Sequence, residues 1–460
     1  MHNLARILLT RNQFRPSSTA FSDLTGSITY EDLERKSQQF AGWLRREGLQ
    51  PNDRVGVVLH NNINAVIVFL GTVLAGGIAV MTSPVGRKET LDYKISHVTP
   101  CIVIDENNVT DVLGQSRQFP PDFNISGGGK DVAFMLWTSG TTGHSKAVMH
   151  SHDNVFAQSV ATSELTLNLN STDRIYSTAK LSFAYGIIYS LFGAMWVGAE
   201  AYLDSGLSTP GRVEHIIRDF APTVFFSVPI IYSQLVSRLD PITTIKFVSS
   251  GDRLPQALLD RWQSKIGTSI HNCLGTTECL TSFIFNHGNT SSIGQAIPMY
   301  QTRIVDKQGV ILAPGQTGQL QVRAPSTGVG YWMDPIWSER YFKDWITTGD
   351  ICWQDPQGDL HHMGRDGDVI KIAGYFINPS EIEETLEAFP GVEQSAVIGV
   401  QNEHGIERIE AYVVGPVESR DLRAWMHKHH ERQACPRKIH IVPELPRTDN
   451  GKIQRYKLRA

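Results

Sequence analysis

The stretch TSGTTGHSK, residues 138–146, packs hydroxyl side chains, glycines and one lysine into a short span. Glycine lets consecutive backbone amides turn toward an anion, and hydroxyls add further donors. Lys146 supplies the positive charge, so the chemistry suggested is a grip on phosphate. The spelling is not that of a Walker loop, which needs GxxxxGK followed by Ser or Thr. Here the lysine comes three residues after Gly143 and is followed by Ala147. The plain alternative is a Ser/Thr/Gly surface turn. Two more stretches bear on the choice. SSGDRLP (249–255) ends a strand-like run in a glycine turn. LGTTE (274–278) does the same and adds a carboxylate placed to hold a metal.

Elements must position these groups. Apolar, β-branched runs recur at RVGVVLH (54–60), CIVID (101–105), VAFMLWT (132–138), TVFFSVP (223–229) and IKFVSS (245–250). Amphipathic stretches such as TYEDLERKSQQFAGWLRREG and PQALLDRWQSKIG lie between them. Near-continuous apolar strands alternating with helices predict parallel sheets covered on both faces. In such sheets ligands bind beyond the carboxyl ends of the strands, where 138–146 follows VAFMLWT. Residues 301–325 differ, with short strands and Gly/Pro turns that read as antiparallel. After residue 365 the composition shifts to a small mixed unit, in which IEAYVVGPV (409–417) fits a short sheet. GQSRQFPPDFNISGGGK (114–130) reads as a flexible surface loop.

With 460 residues, the chain is long enough for two or three domains. Its 42 basic and 46 acidic residues are mixed throughout, and no basic tract points to nucleic acid or a membrane surface. The five cysteines show no CxxC and no paired spacing. Neither a disulfide framework nor a zinc site follows, and a cytoplasmic location is expected. The longest apolar run, AVIVFLGTVLAGGIAVM (65–81), is broken by Gly76-Gly77 into a helix and a strand of a buried core. No convincing targeting segment stands at the start.

TTGD (347–350), GRDGDVIKIAGYFINPSEIEE (364–384) and LPRTDNGKIQRYKLR (445–459) complete an ordered set with the first three motifs. Together they resemble the adenylate-forming superfamily of acyl- and aryl-CoA synthetases, peptide-synthetase adenylation domains and luciferases. The resemblance runs from about residue 25 to the end. It implies ATP, Mg²⁺ and CoA, with AMP and pyrophosphate as products. On it, Thr138, Ser139, Gly140, Thr141, Thr142, Gly143 and Lys146 cradle the β- and γ-phosphates. Glu278 holds Mg²⁺, and Thr277 lies near the α-phosphate. Ser250, Gly251, Asp252, Asn272, Leu274, Gly275 and Thr276 complete the ATP site around the adenine. Asp350 takes the ribose hydroxyls with support from Arg365. Lys452 reaches the carboxylate and α-phosphate, and Lys371 and Gly374 meet CoA.

The segment KLSFAYGIIYSLFGAMWVGAEAYL (180–203) is similar to the corresponding stretch of benzoate- and anthranilate-type aryl-CoA ligases. Phe183, Ala184, Tyr185, Ser249, Leu280 and Thr281 are then the residues for the acid. Gly251, Leu274 and Gly275 stand around the same slot. Aromatic and small residues together suit a planar ring. No aspartate occupies FAYG, where amino-acid-activating members hold an α-amino group. The chain departs from the family pattern in four places. Thr281 stands where benzoate-type ligases often carry His, and Leu274 where many relatives have Tyr. Ser145 replaces the usual proline before the loop lysine, and Gly367 replaces a hinge Asp or Lys. His150 and His152 flank the phosphate loop and are read as structural.

The expected fold is α/β. A large N-terminal domain (1–364) has two α/β subdomains and a β-rich one. A hinge (365–367) leads to a small mobile α+β domain (368–460) carrying Lys452. The active site is expected in the cleft between the domains. The function implied is an aryl acid–CoA ligase acting through an acyl-adenylate on a small aromatic carboxylic acid. A stand-alone enzyme loading an acyl carrier protein and a catalytically silent adenylate-binding homologue are the alternatives. A P-loop kinase is disfavoured by the missing GK[ST]. A homodimer is compatible with the sequence.

Overall fold

The computed structural model describes residues 3–122, 124, 126–138, 145–288, 290, 292–372, 375–401, 407–430, 434–447 and 453–459. The chain divides into two compact units. The first comprises residues 1–290, 295–301 and 323–346; the second, 291–294, 302–322 and 347–460.

The first unit is built on two sheets. One runs Gly330–Tyr331, Lys146–Ser151, Val132–Thr138, Ile78–Met81, Arg54–Val58, Ile102–Asp105 in spatial order. Its inner strands pair in parallel, and Lys146–Ser151 and Gly330–Tyr331 close one edge antiparallel. The other has, among the described residues, nine strands. At its centre Arg174–Ser177, Val224–Ser227, Lys246–Ser249 and Ile270–Thr276 lie parallel. All five apolar runs named from the sequence contain strands; four are largely buried, whereas Ile102–Asp105, at the edge of its sheet, buries only Ile104.

The 65–81 run is the helix Ile63–Ala75 followed by the strand Ile78–Met81. Asn62 caps the helix by accepting from the Ala65 N–H, and Gly76 ends it at φ 88°. A Cβ on Gly76 would lie 2.5 Å from that of Ser126, so glycine meets both demands. The helix is apolar all round and buried, packing against the amphipathic helix Tyr30–Arg46. Among the described residues no helix is long and apolar enough to cross a membrane.

Residues 114–130 are less free than their composition suggests. The first three end the helix Val109–Ser116. Arg45 then pairs with Asp122 and donates to the Asn124 carbonyl, and Asn3 donates to that of Ser126. Partners distant in sequence, invisible to a compositional reading, pin the segment.

In the second unit, Gln301–Val305, Gly318–Arg323, Ile346–Gln354 and Leu360–Arg365 form a sheet in that order, the last two strands antiparallel, and the short strands expected around 301–325 belong to it. The strands Gln394–Gln401, Glu407–Val414 and Lys438–Ile441 form another, covered by the helices Pro379–Glu387 and Ser419–His429. Its core holds Ile382, Leu386, Val397, Ile409 and Met426. The expected hinge, 365–367, lies within this unit. There Arg459 donates to the Gly367 carbonyl (2.7 Å) and pairs with Asp368 (3.2 Å).

Candidate active site

The strand Val132–Thr138 turns back on itself instead of entering a helix. Thr138 and Lys146 face each other in antiparallel register. Ser139, Gly140, Thr141, Thr142 and Gly143, between these two strands in sequence, lie outside the described residues. Lys146 is 17% exposed, with Nζ 3.8 Å from the centre of the Trp337 ring and 5.0 Å from that of Tyr331. Asp334 Oδ2 lies 3.4 Å away. The ring faces attract the ammonium by cation–π interaction, and the carboxylate pairs with it. Tyr93, His97, Ser145, Trp332, Asp334 and Trp337 line a cavity of about 260 Å³ with Lys146.

The GTTE motif ends the strand Ile270–Thr276. Thr277–Cys279 form a single 3₁₀ turn, Leu280 follows at φ 55°, and Thr281 starts the return strand opposite Thr276. Leu280 is fully buried in this left-handed conformation, which a non-glycine residue adopts only at a cost. The turn fixes Glu278. Its N–H donates to Thr276 Oγ1 (3.0 Å), and that hydroxyl donates back to Oε2. Tyr331 donates to Oε1 (2.8 Å). The Gly328 N–H donates to the Glu278 backbone carbonyl (2.8 Å). Burial, reinforced by the Glu278 charge, pushes the Tyr331 phenol far up, so it stays a donor.

The residues expected at the adenine and the acid gather at the carboxyl ends of neighbouring strands. Ser249 and Asn272 pair in register and are both buried. Ser250 donates to the Cys273 carbonyl (2.9 Å), Gly251 turns at φ 89°, and Asp252 is exposed. Leu274, Gly275 and Thr277 are half-buried. Ser249 Oγ is buried without a hydrogen-bond partner. The FAYG segment lies against the same strands. A Cβ on Gly186 would fall 2.1 Å from the Lys180 carbonyl oxygen, so only glycine lets the chain fold back there. Tyr185 donates to the Val248 carbonyl (3.0 Å) and stands edge-on to Tyr189 and Phe226. Tyr189 and Phe226 stack at 4.1 Å. Phe183 is half-buried and Ala184 buried. Of Thr281 only the backbone is described.

In the second unit Asp350 is 2% exposed. Arg365 Nε (3.2 Å) and His362 Nε2 (3.0 Å) both reach its Oδ1. Burial alone would raise this carboxyl; the Arg365 charge and the His362 hydrogen bond outweigh it and hold it at about 2. Arg365 also donates to the Thr348 carbonyl (2.7 Å). Lys371 is on the strand Ile370–Ile372, its side chain not described; Gly374 and Lys452 lie outside the described residues.

Residues 9–332 match the AMP-binding enzyme family, and 381–452 match the AMP-binding enzyme C-terminal domain. The chain belongs to the AMP-binding enzyme family. Benzoate–CoA ligase of Thauera aromatica is 28% identical over 100% of this chain and 96% of its own. The crystal structure of a benzoate CoA ligase from Burkholderia xenovorans LB400 is 28% identical, covers 100% of both chains and superposes with a TM-score of 0.91. That of the anthranilate CoA ligase AuaEII in complex with anthranoyl-AMP is 26% identical, covers 100% of this chain and 97% of its own, and gives 0.92.

This AMP-binding enzyme is therefore an AMP-forming acid–thiol ligase that uses ATP, Mg²⁺ and CoA. The residues present fit the metal. Two hydroxyl donors fix the Glu278 carboxylate and leave lone pairs for a hard cation that prefers oxygen. Tyr331, Asp334, Trp337 and His362 were not foreseen from the sequence. The dense aromatics of GYWMDPIW, and His362 three residues before Arg365, were the available signals.

His152 is structural: its Nδ1 accepts from the Leu4 N–H (2.9 Å). His150 is fully buried, stacked on Phe134, with no hydrogen-bond partner for either ring nitrogen.

Proposed function

We propose that the enzyme ligates a small aromatic carboxylic acid to CoA through an aryl-adenylate. The acid's carboxylate oxygen bonds to the α-phosphorus of ATP as the bond to pyrophosphate breaks. The CoA sulfur then bonds to the acyl carbon as AMP leaves. Lys146 and residues 138–143 hold the β- and γ-phosphates, and Glu278 the Mg²⁺. Thr277 lies at the α-phosphate. Asp350, oriented by Arg365, takes the ribose hydroxyls. Lys452 neutralises charge where acid and α-phosphate meet, and Lys371 and Gly374 serve CoA. Bound Mg²⁺ would offset the repulsion between the organic anion and the triphosphate. Each well-placed electrostatic donor lowers such a barrier by about 3 kcal/mol. No side-chain nucleophile is needed.

The observation that carries the aromatic reading is the FAYG segment: half-buried Phe183 and Tyr185 lie at the strand ends, and Tyr185 donates to the Val248 carbonyl while standing edge-on to the buried, stacked pair Tyr189 and Phe226. Edge-to-face and stacked rings pack a planar ring better than a flexible chain. The benzoate- and anthranilate-ligase relatives support the same reading. A panel of benzoate, hydroxy- and aminobenzoates, acetate and palmitate, measured by acid-dependent pyrophosphate release, tests it. Aromatic acids should lead; preference for palmitate or acetate rejects the reading. Product formation with CoA, compared with phosphopantetheinyl carrier proteins, identifies the thiol acceptor.

A further inference from the structure

We infer that Tyr331 is a positioning residue that links the phosphate-loop lysine to the metal-holding carboxylate. The inference rests on the roles proposed for Glu278 and Lys146. Tyr331 touches both in different ways. Its hydroxyl donates to Glu278 Oε1 at 2.8 Å. Its ring centre lies 5.0 Å from Lys146 Nζ. The ring quadrupole attracts the ammonium while the hydroxyl fixes one carboxylate oxygen. One side chain thus sets the spacing between a cation for phosphate and an anion for metal.

Tyr331 is built to hold still. It is 5% exposed and pairs with Val148 at the antiparallel edge of the six-stranded sheet. Its N–H donates to Ser338 Oγ (2.8 Å), and that hydroxyl donates to the Asp334 carbonyl (2.6 Å). Phe342 packs edge-on at 5.0 Å. Asp334 caps the helix Pro335–Tyr341 by accepting from the Trp337 N–H (3.1 Å). That cap also places Asp334 and Trp337 around Lys146. Val148, two residues after Lys146 on the same strand, shares its sheet register with Tyr331. The strand edge therefore carries the lysine and its aromatic partner together.

A group that orients a metal ligand tunes the affinity of the metal, and losing it typically costs about 10- to 100-fold. The test uses the full-length enzyme with ATP and Mn²⁺ in place of Mg²⁺, reading metal binding by water-proton relaxation beside steady-state kinetics. Tyr331→Phe keeps the ring and deletes the hydroxyl. It should weaken Mn²⁺ binding in the presence of ATP by about tenfold. The metal concentration needed for half-maximal rate should rise in step, with kcat at saturating metal largely kept. Tyr331→Leu also removes the ring and should additionally raise KM for ATP, which Phe should not. Thermal melts identify folded variants. Should Leu fail to fold, Phe alone decides, because it preserves the packing.

Unchanged Mn²⁺ affinity in Tyr331→Phe, with Glu278→Gln impaired, overturns the positioning role. A uniform drop in kcat without a metal effect overturns it as well. Normal metal binding and turnover in Glu278→Gln overturns the underlying assignment of the carboxylate instead.

Discussion

Asp350 and Arg365 sit directly opposite each other on two antiparallel strands, the guanidinium Nε 3.2 Å from the carboxylate Oδ1. Charge and register therefore coincide. The pair orients a buried anion from a rigid frame, and His362 reaches the same oxygen from the same strand as Arg365.

Asp350 should make stability depend on acid. Its carboxyl is held at about 2 in the folded chain, below the 3.8 of a free aspartate. A depressed carboxyl stabilises the fold above the unfolded value. That contribution is lost as pH falls from near 4 through about 2. The difference amounts to about 2 kcal/mol at neutral pH. Asp350→Asn should lose roughly this much in urea melts at pH 7 and far less near pH 2. It should also weaken ATP binding. Equal destabilisation at both pH values would contradict the linkage.

His150 should act in the same direction over a different range. Burial pushes its ring down to about 3, against a weaker upward pull from the Thr277 backbone. The ring is neutral in the folded state but takes a proton when unfolded. Stability is therefore complete above the ordinary histidine range and lost as pH falls through 6.5 toward 3. His150→Phe keeps the stack on Phe134 and removes two unpartnered buried nitrogens. It should be within about 1 kcal/mol of wild type at pH 7 and more stable at pH 5. Thermal melts across that range measure both.

Arg455 should matter three residues beyond Lys452. Its Nη2 lies 2.8 Å from both oxygens of Glu383, and both side chains are largely buried. Removing one member of such a pair strands the other. Arg455→Ala should destabilise the second unit by about 3 kcal/mol. Calorimetry reads this; a loss below 1 kcal/mol would show that the pair contributes little.

Lys452→Ala should abolish acid-dependent AMP formation while ATP binding survives. Isotope exchange between pyrophosphate and ATP, alongside equilibrium nucleotide binding, separates the two. Near-wild-type exchange would remove Lys452 from the chemistry.

Much of the frame was legible because burial on both faces forces continuous apolar strands, as at 132–138 and 223–229. Gly76 likewise announced the break after Ala75. What escaped notice depends on partners far apart in sequence. Nothing local marks Arg45 as the anchor for Asp122, or Tyr331 as the donor to Glu278, 53 residues earlier. His362 was missed because its spacing from Arg365 points to Asp350 only once the pairing of the two strands is known. VAFMLWT was rightly a strand, but periodicity says nothing about the direction of the next one. The antiparallel return of Lys146–Ser151 became visible only with the register.

That register also bears on the phosphate-binding role proposed for this stretch. Thr138 and Lys146 are paired across the two strands, so the register on either side is set by the strands themselves. Substitutions such as Ser145 for proline can retune the grip on nucleotide while leaving the scaffold unaltered, and affinity can change independently of folding.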